Sequence, residues 1–322
     1  MPRMNGVEPK IEIFKPFGEA FELMTKILFQ PFDLKKWLVV GFAAFLAGHF
    51  GGGGFNFPSR WNLQSTETRP FNFTSFEQWK PWLPIIIPAF IILVLALILL
   101  LLWLKARGNF VFTDCIVRSR GAIVAPWREY RKEGNSYFVF ILAVAFGSMI
   151  VVATVFLLFA ALDLPGFIRG KPTLIITVGI FLVLFLLLLM FLLVVNLVTY
   201  FMPLVMYRQR CGAFDAVREV LRLVADNVGV VILFCLFGFV LLLATIMMGA
   251  VVSCLTCCIA ALPYVGSVIL LPIYVCLRAF GLLFLRQFGP EYDVWASFMP
   301  PEFSTVLVPL SAPSEPPSSL SE

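Results

Sequence analysis

The stretch Leu174–Tyr207 runs 34 residues without a charge, and its middle reads FLVLFLLLLMFLLVV. As an α-helix it is about 50 Å long, whereas about 20 residues already cross the hydrocarbon of a bilayer. A helix in a water-soluble core normally keeps one polar side, and this stretch has none. It reads as the central transmembrane helix of a protein that crosses the membrane several times. The whole chain agrees, with 60% hydrophobic and 13% charged residues, against about half and about a quarter in soluble domains.

The apolar runs predict spans at about 38–55, 83–104, 137–162, 174–202, 228–252 and 263–285. The first is short and holds His49 and the run Gly51–Gly54. The expected fold is an all-α integral membrane protein: six transmembrane helices plus short amphipathic surface helices on the cytoplasmic side. Residues 1–286 form the membrane domain. From Gln287 the chain is Pro/Ser-rich, with five acids and no base, and 287–322 is expected to be a disordered acidic tail. No secretory signal is read at the start, so the first span serves as its own signal.

Two surface helices stand out by period. Phe17, Phe21, Met24 and Leu28 fall on one face of the first, ended by Pro31. Phe214, Val217, Leu221 and Val224 line the second, with Asp215–Arg218 and Glu219–Arg222 spaced to pair on the other side. Thr113 and Asp114 are placed to cap a short helix carrying Cys115, Ile116 and Ile123. Asp163, Pro165 and Gly166 are placed to close the third span in a turn. AFELMTKILFQPFDLKKWLVVGF from Ala20 is similar in pattern to AFDAVREVLRLVADNVGVVILF from Ala213. That suggests a repeat of surface helix plus helical hairpin.

Charge placement sets the expected topology. The termini and the loops 105–136 and 207–227 hold nineteen Lys/Arg, counting Arg278 and Arg286. The opposite set holds five: Arg60, Arg69, Lys80, Arg169 and Lys171. An excess of Lys/Arg stays cytoplasmic, so both termini are expected inside. Short basic groups beside apolar spans fit anionic lipid at the cytoplasmic face and not nucleic acid.

Arg278, in LPIYVCLRAFGLLFLRQF, is the sharpest candidate residue. It either snorkels to the interface or pairs inside with Asp215, Glu219, Asp114 or a lipid phosphate. His49 is the single histidine and marks either a packed ring or a helix break that meets a ligand. Asp215 and Glu219 complete the ligand or lipid candidates. Cys254, Cys257 and Cys258 lack the second pair a zinc site needs and read as packing residues. The sequon Asn72–Thr74 lies in an aromatic-rich outer loop. No catalytic constellation, cofactor or metal site is apparent, and an enzyme is not expected.

Three strings carry a resemblance: CCIAALPYVGSVILLPIYVCLRAFGLLFLRQFGPEYDVW, PFDLKKWLVVGF and PWREYRKEGNSYF. Over roughly residues 10–296 the chain resembles an uncharacterised bacterial family of polytopic membrane proteins. That family is distantly similar to the membrane region attached to some glycerophosphodiester phosphodiesterases. The resemblance implies a six-helix inner-membrane protein and carries over no catalytic residues. The expected role is a non-enzymatic membrane scaffold or lipid-organising component. The alternative is a transporter or permease for an apolar or amphiphilic solute.

Overall fold

The computed structural model describes residues 12–49, 83–169, 174–256 and 262–296. Among these are ten α-helices and no strand. They are α1 (Phe14–Phe29), α2 (Leu34–Leu46), α3 (Leu83–Val117), α4 (Val124–Glu129) and α5 (Arg131–Arg169). They continue with α6 (Leu174–Gln209), α7 (Ala213–Asp226), α8 (Val228–Leu255), α9 (Pro263–Ile269) and α10 (Leu271–Arg286).

Four helices, α3, α5, α6 and α8, are long and apolar enough to cross a membrane by length and composition. Each has two unlike halves. From Pro84 to Ile98 every side chain of α3 is exposed, and the apolar stretches of α5, α6 and α8 are almost as bare. Exposed apolar surface on this scale suits lipid, not water. The other halves meet in one continuous core, formed by Ala106–Val117 of α3, Tyr137 of α5, Leu197–Tyr207 of α6, and Val231 and Phe234 of α8. We call this packed end the base.

The shorter helices complete the base. α1 lies along α10, α2 is wedged between α3 and α9, and α7 covers α6 and α5. Close approach of α2 to α3 requires a glycine. A Cβ on Gly108 would sit 2.4 Å from the carbonyl carbon of Leu46. Gly281 does the same for α10, because a Cβ there would lie 2.6 Å from the Tyr200 hydroxyl oxygen.

Several expectations are corrected. Thr113 and Asp114 cap nothing; they lie inside α3, which runs on past the apolar run to Val117. Asp163, Pro165 and Gly166 make no turn, since the backbone of α5 is helical to Arg169. The segment 263–285 is not one helix. It breaks at Leu270, and Pro272, which offers no N–H, sits in the first turn of the new helix, where that loss costs least. Twelve of the sixteen residues of α10 are buried in protein. The segment 38–55 is represented by α2, thirteen residues long, running beside the base half of α3. Its glycine run lies outside the described residues.

The first surface helix buries most of its expected face, Met24 and Leu28 with Phe17 packed on the core, and the second buries a neighbouring face. α1 buries Pro16, Ala20, Met24, Ile27 and Leu28, leaving Phe21 exposed. α7 buries Ala213, Ala216, Val220 and Leu223, and Phe214 is 86% exposed. On α7, Ala213 and Ala216 face the tightly packed base and Phe214 faces out. The chain after Arg286 is ordered at first: Arg286 pairs with Asp293 at 3.1 Å, and Val294 and Trp295 are buried. Residues 297–322, Cys257, Cys258 and the sequon lie outside the described residues.

Candidate functional site

Arg278 projects from α10 into the base and is 5% exposed. It does not snorkel. Its Nε donates to Thr113 Oγ1 at 3.1 Å, and its Nη2 donates to the Asn109 carbonyl oxygen at 3.2 Å and to Asn109 Oδ1 at 3.3 Å. Both partners are held by α3 itself. The Thr113 hydroxyl donates to the Asn109 carbonyl at 2.8 Å, and Asn109 Nδ2 donates to the Lys105 carbonyl at 3.0 Å. Neutral oxygens four residues apart on one helix face thus receive the guanidinium. The expected acidic partners are not among them.

Above this tie the tyrosines lock the long helices. Tyr137 donates to the Thr199 carbonyl at 2.9 Å, joining α5 to α6. Tyr200 donates to the Leu277 carbonyl at 3.1 Å, joining α6 to α10. His49 stacks on Tyr274 with ring centroids 4.7 Å apart, and its carbonyl accepts from Ser267. The histidine is a half-buried packed ring between α2 and α10.

A second polar centre surrounds Asp114, which is fully buried. Its carboxylate accepts from Arg120 Nη2 at 3.0 Å and from the Tyr207 hydroxyl at 3.0 Å, and forms an ion pair with Arg118, whose Nε lies 3.0 Å away. Tyr130 stacks on Tyr207 at 4.7 Å, and Arg210 Cζ sits 3.8 Å over the Tyr130 ring. Glu129 closes the ring by accepting from both Arg118 and Arg210. Burial pushes the Tyr130 phenol above its ordinary range. The arrangement clasps the base ends of α3, α5 and α6 around α4.

The remaining candidates stand apart. Glu219 on α7 accepts from the Tyr292 hydroxyl, whose ionisation is pushed up by burial and by that carboxylate. Asp215 is exposed on the same helix. The expected pairs on α7 give way to this bond and to Arg222 facing Asp226 at 3.9 Å. The structure brings neither acid to Arg278. Among the described residues no His/Cys/Asp/Glu group is arranged to hold a metal, and Cys254 is a free, exposed thiol.

Residues 12–288 match a family described as a family of unknown function, DUF7544. The chain belongs to that family. No curated protein and no solved structure matches it. The DUF7544 match takes in all ten helices and both polar centres, and it stops short of Trp295. The Asp114 ring was not picked out as a centre from the sequence. Its members are spread from Asp114 to Arg210, and only the packing of α3 against α4, α5 and α6 assembles them.

Proposed function

We propose that this DUF7544 protein is a non-enzymatic component of the cell membrane that organises anionic lipid against a rigid, basic base. One observation carries the reading: four apolar half-helices stand bare, while their other ends meet in one buried core around Asp114 and Arg278 that is edged by the more accessible Lys105, Arg118, Arg120 and Arg210. Bare apolar halves need lipid around them, and a packed base gives that lipid a fixed boundary. Arg278 in this reading is an internal tie, and His49 a packing ring. Exposed Asp215 and the arginines of α7, with Glu219 beside them, face the headgroups.

Six crossings with both termini inside belong to the same proposal. The base gathers α1, α2 and α10 with the C-terminal ends of α3 and α6 and the N-terminal ends of α5 and α8. The chain therefore changes ends in each of the four long helices, and the other two crossings are proposed from the apolar runs at 38–55 and 263–285. Charge placement supports a cytoplasmic base, since most Lys/Arg lie there. We also hold to kinship with the membrane region attached to some glycerophosphodiester phosphodiesterases, supported by the three strings quoted above.

A transporter for an amphiphilic solute is the second reading. An open groove of about 450 Å³ between α5 and α6, lined by Ser148, Val152, Phe156 and Leu192 among others, favours it. The groove is apolar and reaches neither Arg278 nor His49, which suits a lipid chain better than a polar route. The test is mass spectrometry of lipids that co-purify with the protein in mild detergent. Enrichment of anionic phospholipid over the bulk membrane is expected. Unselective lipid, or solute flux across vesicles that depends on the protein, overturns the proposal.

A further inference from the structure

Arg107 sits one turn past the end of the apolar run of α3, where that helix leaves the hydrocarbon by its length. The guanidinium carbon lies 4.6 Å from the ring centre of Trp103 and 5.1 Å from that of Trp127. The two indoles meet edge to face at 5.7 Å. Asn135 Oδ1 accepts from Arg107 Nε at 3.2 Å and from Trp103 Nε1 at 3.2 Å. One amide oxygen therefore fixes both the arginine and one wall of its cage. Gly134 leaves room for the stem: a Cβ there would lie 2.9 Å from Arg107 Cγ. The terminal nitrogens, Nη1 and Nη2, make no hydrogen bond to any described residue, and no described carboxylate pairs with this cation.

A guanidinium stacked on indoles and held at Nε keeps its outer fork free for two parallel bonds to a phosphate. Tryptophan settles at the headgroup level, and the exposed apolar length of α3 leads away from the same spot. We propose that Trp103, Arg107, Trp127 and Asn135 form a binding site for the phosphate of an anionic phospholipid, with the acyl chains lying along α3. The site deepens the lipid-organising reading and rests on it.

The test uses full-length protein, native mass spectrometry, and three probes: dioleoyl-phosphatidylglycerol, dioleoyl-phosphatidylcholine and inorganic phosphate. Wild type should prefer the phosphatidylglycerol. Arg107→Gln should lose roughly tenfold or more of its affinity, the size of one charge-assisted contact. Arg107→Lys, which keeps the charge without the fork, should lose roughly twofold, and Arg128→Gln, an exposed neighbour, should lose none. An Arg107→Gln protein with unchanged preference overturns the site while leaving the lipid-organising reading intact. Absence of any preference in wild type overturns both. Displacement of the lipid by millimolar inorganic phosphate overturns the assignment to lipid. If Arg107→Gln fails to fold, a phosphatidylglycerol carrying a headgroup diazirine decides on wild type. Labelling within 103–135 supports the site, and labelling confined elsewhere refutes it.

Discussion

Asp114 and Arg278 are both buried charges, yet their surroundings predict opposite sensitivities. Asp114 is held by two arginines and a tyrosine, and removing its charge takes from Arg120 its carboxylate and leaves Arg118 with Glu129 alone. Asp114→Asn should destabilise the protein by about 3 kcal/mol, seen as a lower unfolding temperature in detergent. Arg278 is received by groups that already bond within α3, so its removal leaves little unsatisfied. Arg278→Met should stay folded and lose no more than about 1 kcal/mol, because an apolar side chain of similar length fills the same space. A collapse of Arg278→Met in the same melt would mean that the guanidinium carries more of the base than these bonds account for.

Among the helices, contact distance is set by glycine in some places and not in others. Gly108→Ala would drive a methyl into the backbone of α2, so a loss of about 3 kcal/mol and weaker α2–α3 packing are expected. Gly147→Ala and Gly179→Ala meet nothing within 4 Å and should be neutral or gain up to about 1 kcal/mol from helix propensity. Parallel thermal melts of the three variants check this contrast. Trp295→Ala should cost about 3–5 kcal/mol, because the ring is 2% exposed beneath a turn pinned by Arg286 and Asp293. The helix of Leu174–Tyr207 was legible because an uncharged run has few ways to satisfy its backbone in lipid. Helix ends were less legible. Thr113 and Asp114 carry the chemistry of a cap, and Asp163, Pro165 and Gly166 that of a turn, but packing at the base and the backbone ladder override both. The partners of Arg278 were not legible because Asn109 and Thr113 offer neutral oxygens, which carry no charge to mark them as partners of a cation.

At the level of the whole molecule, the order of the chain was readable and its depth was not. Hydropathy records that α10 is apolar and not whether protein or lipid seals it, so 263–285 reads as a simple span. Sidedness is open to a direct check. Cysteines placed singly at Arg128 and Glu291, in an otherwise cysteine-free protein, should both resist a membrane-impermeant maleimide in intact cells and react once the cells are opened. Reaction of only one of them in intact cells would separate the two sites by a bilayer and remove the six-crossing proposal.

Of the four half-helices set in a single hub, α5 and α6 flank a common groove, whereas the outer halves of α3 and α8 stand bare as two prongs. What spaces these prongs at their outer ends is then the solvent itself. Thinner bilayers should spread the prongs and thicker ones draw them together, while the hub keeps its dimensions. Energy transfer between dyes on Ile87 and Val240 should follow acyl-chain length, and a pair on Lys26 and Arg218 should not. A protein built this way converts the thickness of its surroundings into an angle.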